Sequence, residues 1–129
     1  MIPERYAPTT YALFRIVIGF LFLCNGLQKM LGMFGGQVPP MASLPGMAGI
    51  IETICGLMIM LGLVTKLAAF IASGEMAVAY FLIHQPNGGL PIENMGERAA
   101  FYSFAFLYIA SRGPGIWSID SLRRSAKRT

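Results

Sequence analysis

The sequence predicts an all-α polytopic membrane protein, folded as an antiparallel four-helix transmembrane bundle. Three observations predict it. Hydrophobic residues make up 55% of the 129-residue chain and charged residues only 12%, against roughly 25% charged in a soluble domain. Mean hydropathy is +0.60, and a soluble globule of this length could not cover its surface with so few polar groups. Four stretches, 11–33, 45–64, 66–84 and 97–111, approach the ~17–25 residues that cross a hydrocarbon core. Finally, the polar residues inside the first three stretches share helical stripes with glycine and alanine, as residues facing a bundle interior do.

Residues 1–10, with Pro3 and Pro8, form a short entry segment. The first span, 11–33, is expected to be retained rather than cleaved. Its apolar core is too long for a leader, it follows acidic Glu4, and no small-x-small site comes after it. Gly35-Gly36, Pro39-Pro40 and Pro45 mark an irregular, uncharged connection. After the second span, Gly62–Lys66 is short enough to make an antiparallel helical hairpin with the third. The loop 84–96 contains Pro86-Asn87-Gly88-Gly89 and Pro91. The fourth span is short, with Arg98 and Arg112 snorkelling at its ends. Gly113-Pro114-Gly115 ends it, and a basic tail, 112–129, comes after. The length allows one domain, 1–129.

Arg5, Lys66, Arg112, Arg123, Arg124, Lys127 and Arg128 all fall on one side of four spans. The positive-inside rule then puts both termini in the cytoplasm. The tail reads as a topology anchor touching anionic lipid rather than as a nucleic-acid site. The lipid bilayer is the first expected partner; a second copy of the chain is left open.

Spacing identifies the inward faces. Arg15, Gly19, Phe22, Gly26, Lys29 and Met33 form one stripe. Gly49, Glu52, Gly56, Ile59 and Leu63 form a second, and Ala68, Ala72, Glu75, Ala79 and Leu82 a third. An ionisable group at the bilayer centre costs at least ~2.5–3.5 kcal/mol, so several on inward stripes point to a site. With 1.5 Å rise per residue, Lys29 and Glu52 fall at matching depths and are expected to pair. Glu75 falls near the midplane, within reach of Arg15 or of a hydroxyl such as Tyr102, Ser103 or Tyr108. His84, Asn94 and Glu97 fall at the outer mouth. The expected pocket rests on Lys29, Glu52 and Glu75 as its reactive groups. Arg15, Asn25, Gln28, His84, Asn94, Glu97 and Tyr102 are its ligand-binding wall.

These residues carry a resemblance. The first span holds Leu13-Phe14-Arg15-Ile16-Val17-Ile18-Gly19 and Asn25-Gly26-Leu27-Gln28-Lys29. The second holds Ile51-Glu52-x-x-Cys55-Gly56-Leu57 and ends Leu61-Gly62-Leu63-x-Thr65-Lys66. The tail holds Gly113-Pro114-Gly115-Ile116-Trp117-Ser118-Ile119-Asp120. In order and spacing the chain resembles the DoxX family of small four-span bacterial membrane proteins. Asn25 stands where many members have histidine, which weakens a metal or proton-relay role there. The resemblance implies the bacterial inner membrane as the location and a link to redox or sulfur metabolism. Some relatives look like subunits of a thiosulfate:quinone oxidoreductase. Others are linked to a membrane oxidoreductase complex.

The expected function is therefore a membrane component of a redox or sulfur-stress pathway, working with quinone or a partner oxidoreductase. A small-molecule permease and a non-catalytic anchor for soluble enzymes are the rival readings. Cys24 and Cys55 lie at similar depth; they read as two small packers, or else as a redox pair. No motif binds a cofactor, which leaves quinone as the candidate. A lone histidine gives no zinc-ligand set, and no phosphate-binding glycine loop, nucleophile elbow or metalloprotease motif occurs.

Overall fold

A computed structural model describes residues 1–128 of the chain; Thr129, the last residue of the expected tail, lies outside them. All regular structure among the described residues is helical. Helix α1 runs Ala7–Leu31 after a 3-10 turn at Glu4–Tyr6. Pro8 sits in its first turn, where a missing N–H costs no hydrogen bond. Gly32 ends it at φ 70°, a left-handed conformation that glycine adopts without a Cβ penalty. Helix α2 spans Leu44–Leu61, capped by the Ser43 hydroxyl on the Gly46 N–H at 3.2 Å. Helix α3 spans Thr65–Ala79 and continues through a π turn, Tyr80–His84, and a 3-10 turn, Gln85–Asn87. Helix α4 is the single turn Pro91–Asn94, α5 spans Glu97–Arg112 and α6 spans Ile119–Arg128.

Three helical stretches are long and apolar enough to cross a membrane: Glu4–Leu31, Leu44–Leu61 and Thr65–Asn87. The expected fourth span corresponds to α5, but its 16 residues leave it shorter than these three. The tight turn after the second span takes Gly62 and Val64, both at positive φ, out of the helices.

Helices α1 and α2 meet backbone to backbone. A Cβ on Gly56 would stand 2.6 Å from the Leu23 nitrogen, and one on Gly19 2.5 Å from the Met60 nitrogen. Gly26 meets Thr53 in the same way. Contacts that descend one helix climb the other, so the pair is antiparallel. Helix α5 lies along α3, joined by reciprocal bonds: the Ser73 hydroxyl donates to the Ser103 carbonyl at 2.7 Å, and the Ser103 hydroxyl to the Ser73 carbonyl at 3.0 Å. Phe22, Tyr102 and Phe106 close the space between α1 and α5, with ring centroids 4.6–5.7 Å apart.

The first two stripes are buried as expected through Arg15, Gly19, Phe22 and Gly26, and through Gly49, Glu52, Gly56 and Ile59. The third holds at Ala68 and Ala72, is half-buried at Glu75 and Ala79, and is rotated from there toward Ser73 and Met76. The buried face of α3 is Thr65, Ala68, Ala69, Ala72, Ser73 and Met76, while Leu82 is exposed. The Ser73–Ser103 contact fixes this rotation and moves Glu75 to the flank beside α2. The π turn then adds a residue to one turn and shifts the helical phase of the residues after it.

The end of the molecule that carries the α2–α3 turn is tied to the tail. Asp120 accepts from the Val64 and Thr65 N–H groups, both at 2.9 Å, and from the Thr65 hydroxyl at 2.8 Å, capping α3. Its own N–H returns to the Gly62 carbonyl at 2.9 Å. Burial pushes the Asp120 carboxyl up, but these bonds and the Arg123 charge outweigh it and hold the group below its ordinary value.

Candidate functional site

Lys29 and Glu52 pair as their depths predict. The Lys29 ammonium donates to both Glu52 oxygens, at 2.9 and 2.7 Å. The pair is unequal: Glu52 is 1% exposed and Lys29 34%. The carboxylate is thus fixed inside, while the ammonium borders open space. Lys29→Met should leave that carboxylate unpaired and cost about 3–5 kcal/mol. Adding Glu52→Leu should restore part of the loss. A double-mutant cycle of unfolding in detergent measures the coupling, and zero coupling would refute the pair.

The open space is a cavity of about 160 Å³ bordered by α1, α2, the end of α3 and α5. Asn25, Gln28, Lys29, Glu52, His84 and Tyr102 all line it, so six of the ten residues predicted for the pocket converge there. Asn25 donates to the Tyr102 hydroxyl at 3.4 Å. The π turn brings His84 in, and its Nδ1 lies 3.2 Å from the Asn94 carbonyl oxygen. Arg98 also lines the cavity. Its place at a span end suggests only a snorkelling anchor; the fold of the loop 88–96 turns that position toward the site.

Glu75 lies on the other side of Glu52. Both its carboxyl oxygens are buried and receive no donor from the protein; the polar group beside them is the Glu52 carboxyl. Glu52 and Lys29 are the charged groups that act on it. It lines a second cleft, about 280 Å³, between α2 and α3, walled by apolar side chains including Met47, Ile51, Ile71 and Val78. Ala79 and Ile83 border both spaces. A polar chamber and an apolar lateral cleft therefore adjoin, with the two carboxyls between them.

Four expectations are corrected by these positions. Arg15 does not reach Glu75. It is fully buried, and Nε bonds the Ile59 carbonyl at 3.1 Å. Its Nη atoms bond the carbonyls of Pro114, of Ile116 at 3.0 Å and of Trp117 at 2.7 Å. It holds the tail, not a ligand. The hydroxyls proposed for Glu75 are engaged elsewhere: Tyr102 with Asn25 and Ser103 with Ser73, while the Tyr108 ring packs on Tyr11 and Phe14. Asn94 is buried and spent on its own loop, bonding the Tyr80 hydroxyl, the Gly88 carbonyl and the Gly96 N–H. Glu97 is exposed and lines not the chamber but a cleft between α1 and α5 that shares Arg98 and Tyr102 with it.

Cys24 and Cys55 are both free. Cys55 is buried and Cys24 half-buried, one on each of the two helices that meet at Gly56 and Leu23.

The chain matches the DoxX family model over residues 10–85. It is 39% identical over 125 residues to an uncharacterized protein of Haemophilus influenzae, covering 92% of this chain and 93% of the relative. It is 29% identical over 141 residues to an uncharacterized membrane protein of Mycobacterium tuberculosis, covering 94% of this chain and 84% of that one. No solved structure matches it significantly. Most of the matched region is the part that builds the glycine contact of α1 with α2, the Lys29–Glu52 pair and Glu75, and the chain belongs to the DoxX family.

Proposed function

We propose that this membrane protein is a component of a redox or sulfur-stress pathway that takes quinone at Glu75 and works with a partner oxidoreductase that exchanges the electrons. One observation carries the reading: a carboxyl whose two oxygens are buried with no donor from the protein and only the Glu52 carboxyl beside them, at the wall of an apolar cleft between two spans. An unsatisfied buried polar group costs about 1–3 kcal/mol. A ligand with an apolar ring and a carbonyl or hydroxyl oxygen would relieve that cost, and one dissolved in the bilayer would enter the cleft sideways. Glu75 would hold a proton at that oxygen, and Glu52 would exchange it with the polar chamber, where Lys29 balances the charge. The chain's own residues supply binding and proton transfer; electrons come from the partner.

The permease reading is favoured by the polar chamber itself, which opens beside Lys29 and His84. In the quinone reading that chamber is the proton entry. We further place α5 as a fourth crossing, shorter than the others and drawn to the interfaces by Arg98 and Arg112, with both termini on the cytoplasmic side of a bacterial inner membrane.

The test is binding of a short-chain quinone to the protein in detergent, read by isothermal titration. Glu75→Gln keeps the side-chain shape and removes the exchangeable proton. The variant should fold normally and bind roughly 5–10-fold more weakly. If the wild type binds no quinone, or the variant binds as tightly, the reading fails.

A further inference from the structure

At the opposite end of the molecule from the polar chamber, a second kind of site is built. Pro8 and Tyr11 of α1, Arg112 at the end of α5, Ile116, and Ser121 and Arg124 of α6 enclose a groove of about 460 Å³. No acidic residue lines it. Among the described residues neither guanidinium has a carboxylate within salt-bridge distance. Arg112 instead stands over the Tyr11 ring, 4.8 Å from its centroid.

The groove is held rigidly. Asp120 pins the start of α6 to the α2–α3 turn, and Arg15 pins the carbonyls of Pro114, Ile116 and Trp117. The Tyr11 hydroxyl bonds the Gly113 carbonyl at 2.5 Å. Arg124 thus lines the same groove as Arg112, on a helix tied to the body of the protein. Tyr11 and Arg112 also line a neighbouring cleft of about 520 Å³, whose other walls include Ile2, Ala7, Phe14 and Tyr108 together with one carboxylate, Glu4. A cationic groove thus passes directly into a largely apolar one.

We propose that this continuous surface is a binding site for an anionic phospholipid. The phosphate lies between Arg112 and Arg124, and an acyl chain runs along the cleft beside Phe14 and Tyr108. Guanidinium pairs suit phosphate oxygens by their forked geometry. The apolar continuation distinguishes a lipid from free phosphate, because an inorganic ion would leave that cleft unused. The site is separate from the Glu75 cleft and does not rest on what binds there.

The chain has a single tryptophan, Trp117, which comes directly after Ile116 of the groove and is 58% exposed. It serves as the reporter. The protein is reconstituted in phosphatidylcholine bilayers to which phosphatidylglycerol or phosphatidylcholine with brominated acyl chains is added. Brominated phosphatidylglycerol should quench Trp117 at lower mole fraction than brominated phosphatidylcholine, and saturably.

Near a membrane surface each arginine contributes attraction worth roughly 5-fold in affinity. Arg124→Gln, on an exposed helix face, should weaken the preference by about that factor, and Arg112→Gln with Arg124→Gln by roughly 25-fold. Arg123→Gln with Lys127→Gln removes the same charge outside the groove and should leave most of the preference. Equal quenching by the two lipids overturns the proposal. So does an equal loss in the Arg123/Lys127 variant, which would mean diffuse attraction by the tail. Competition by inorganic phosphate would assign the groove to a free anion and overturn it as well.

Discussion

Arg15→Met should free the tail and cost about 3–5 kcal/mol, because each hydrogen bond from a charged donor is worth about 1.5–3 kcal/mol and relaxation recovers part of the sum. Methionine fills much of the stem volume but has no donors. The carbonyls of Ile59, Pro114, Ile116 and Trp117 then lose their shared partner. Each unsatisfied buried carbonyl costs about 1–3 kcal/mol, and water entering at this end limits the sum. Arg15→Lys should recover only part, because one ammonium cannot span four carbonyls. Limited proteolysis after Gly113, run beside thermal unfolding in detergent, reads the effect directly; a tail that stays protected in Arg15→Met contradicts it.

Acid should loosen the same end. The carboxyl of Asp120 is depressed in the folded state, so its contribution is complete above the ordinary carboxylate range. It fades as pH falls through the depressed value. Cleavage of the tail should rise in that window, and Asp120→Asn should flatten the rise.

Gly56→Ala and Gly26→Ala should each destabilise the α1–α2 pair by about 1–3 kcal/mol, the usual cost of overpacking. The new methyl group meets backbone: Leu23 nitrogen at 2.6 Å and its Cα at 2.8 Å for Gly56, and Thr53 backbone for Gly26. Backbone cannot swing aside as a side chain can, so the helices must separate. The Lys29–Glu52 bonds, one turn from Gly26, should lengthen with them. Gly74→Ala is the control, since nothing lies within 4 Å of its Cβ position; it should be neutral or slightly stabilising through helix propensity. Equal losses at Gly74 and Gly56 in thermal unfolding would show that contact between α1 and α2 is not the cause.

Much of the fold and half of the site are legible in one dimension. The glycines of α1 and α2 recur at helical spacing with Lys29 and Glu52 between them. A buried charge needs a partner at its own depth, so periodicity and desolvation cost are enough to pair those two residues. The helices are legible for the same reason, since apolar runs bounded by Gly32, Gly62 and Gly113 are local properties. The crowding of Asn25, Gln28 and Tyr102 around the pair follows their depth, whereas His84 joins them through the π turn.

Other features depend on groups that carry no side-chain sign. Arg15 is satisfied by backbone carbonyls, three of them about 100 residues away, and every residue has a carbonyl, so its partners could not be read from residue types. Asn94 is likewise spent on its own loop. The rotation of α3 is set by Ser73 against Ser103 and by a π turn at Tyr80–His84, and a one-residue change of phase moves a side chain by about 100°. That rotation carries Glu75 from the expected interior stripe to the wall of the apolar cleft. The sequence alone determined which charges must be buried and which two must meet; only the tertiary structure decided what each buried group faces, because helix rotation and loop path are set by contacts between elements and not within them.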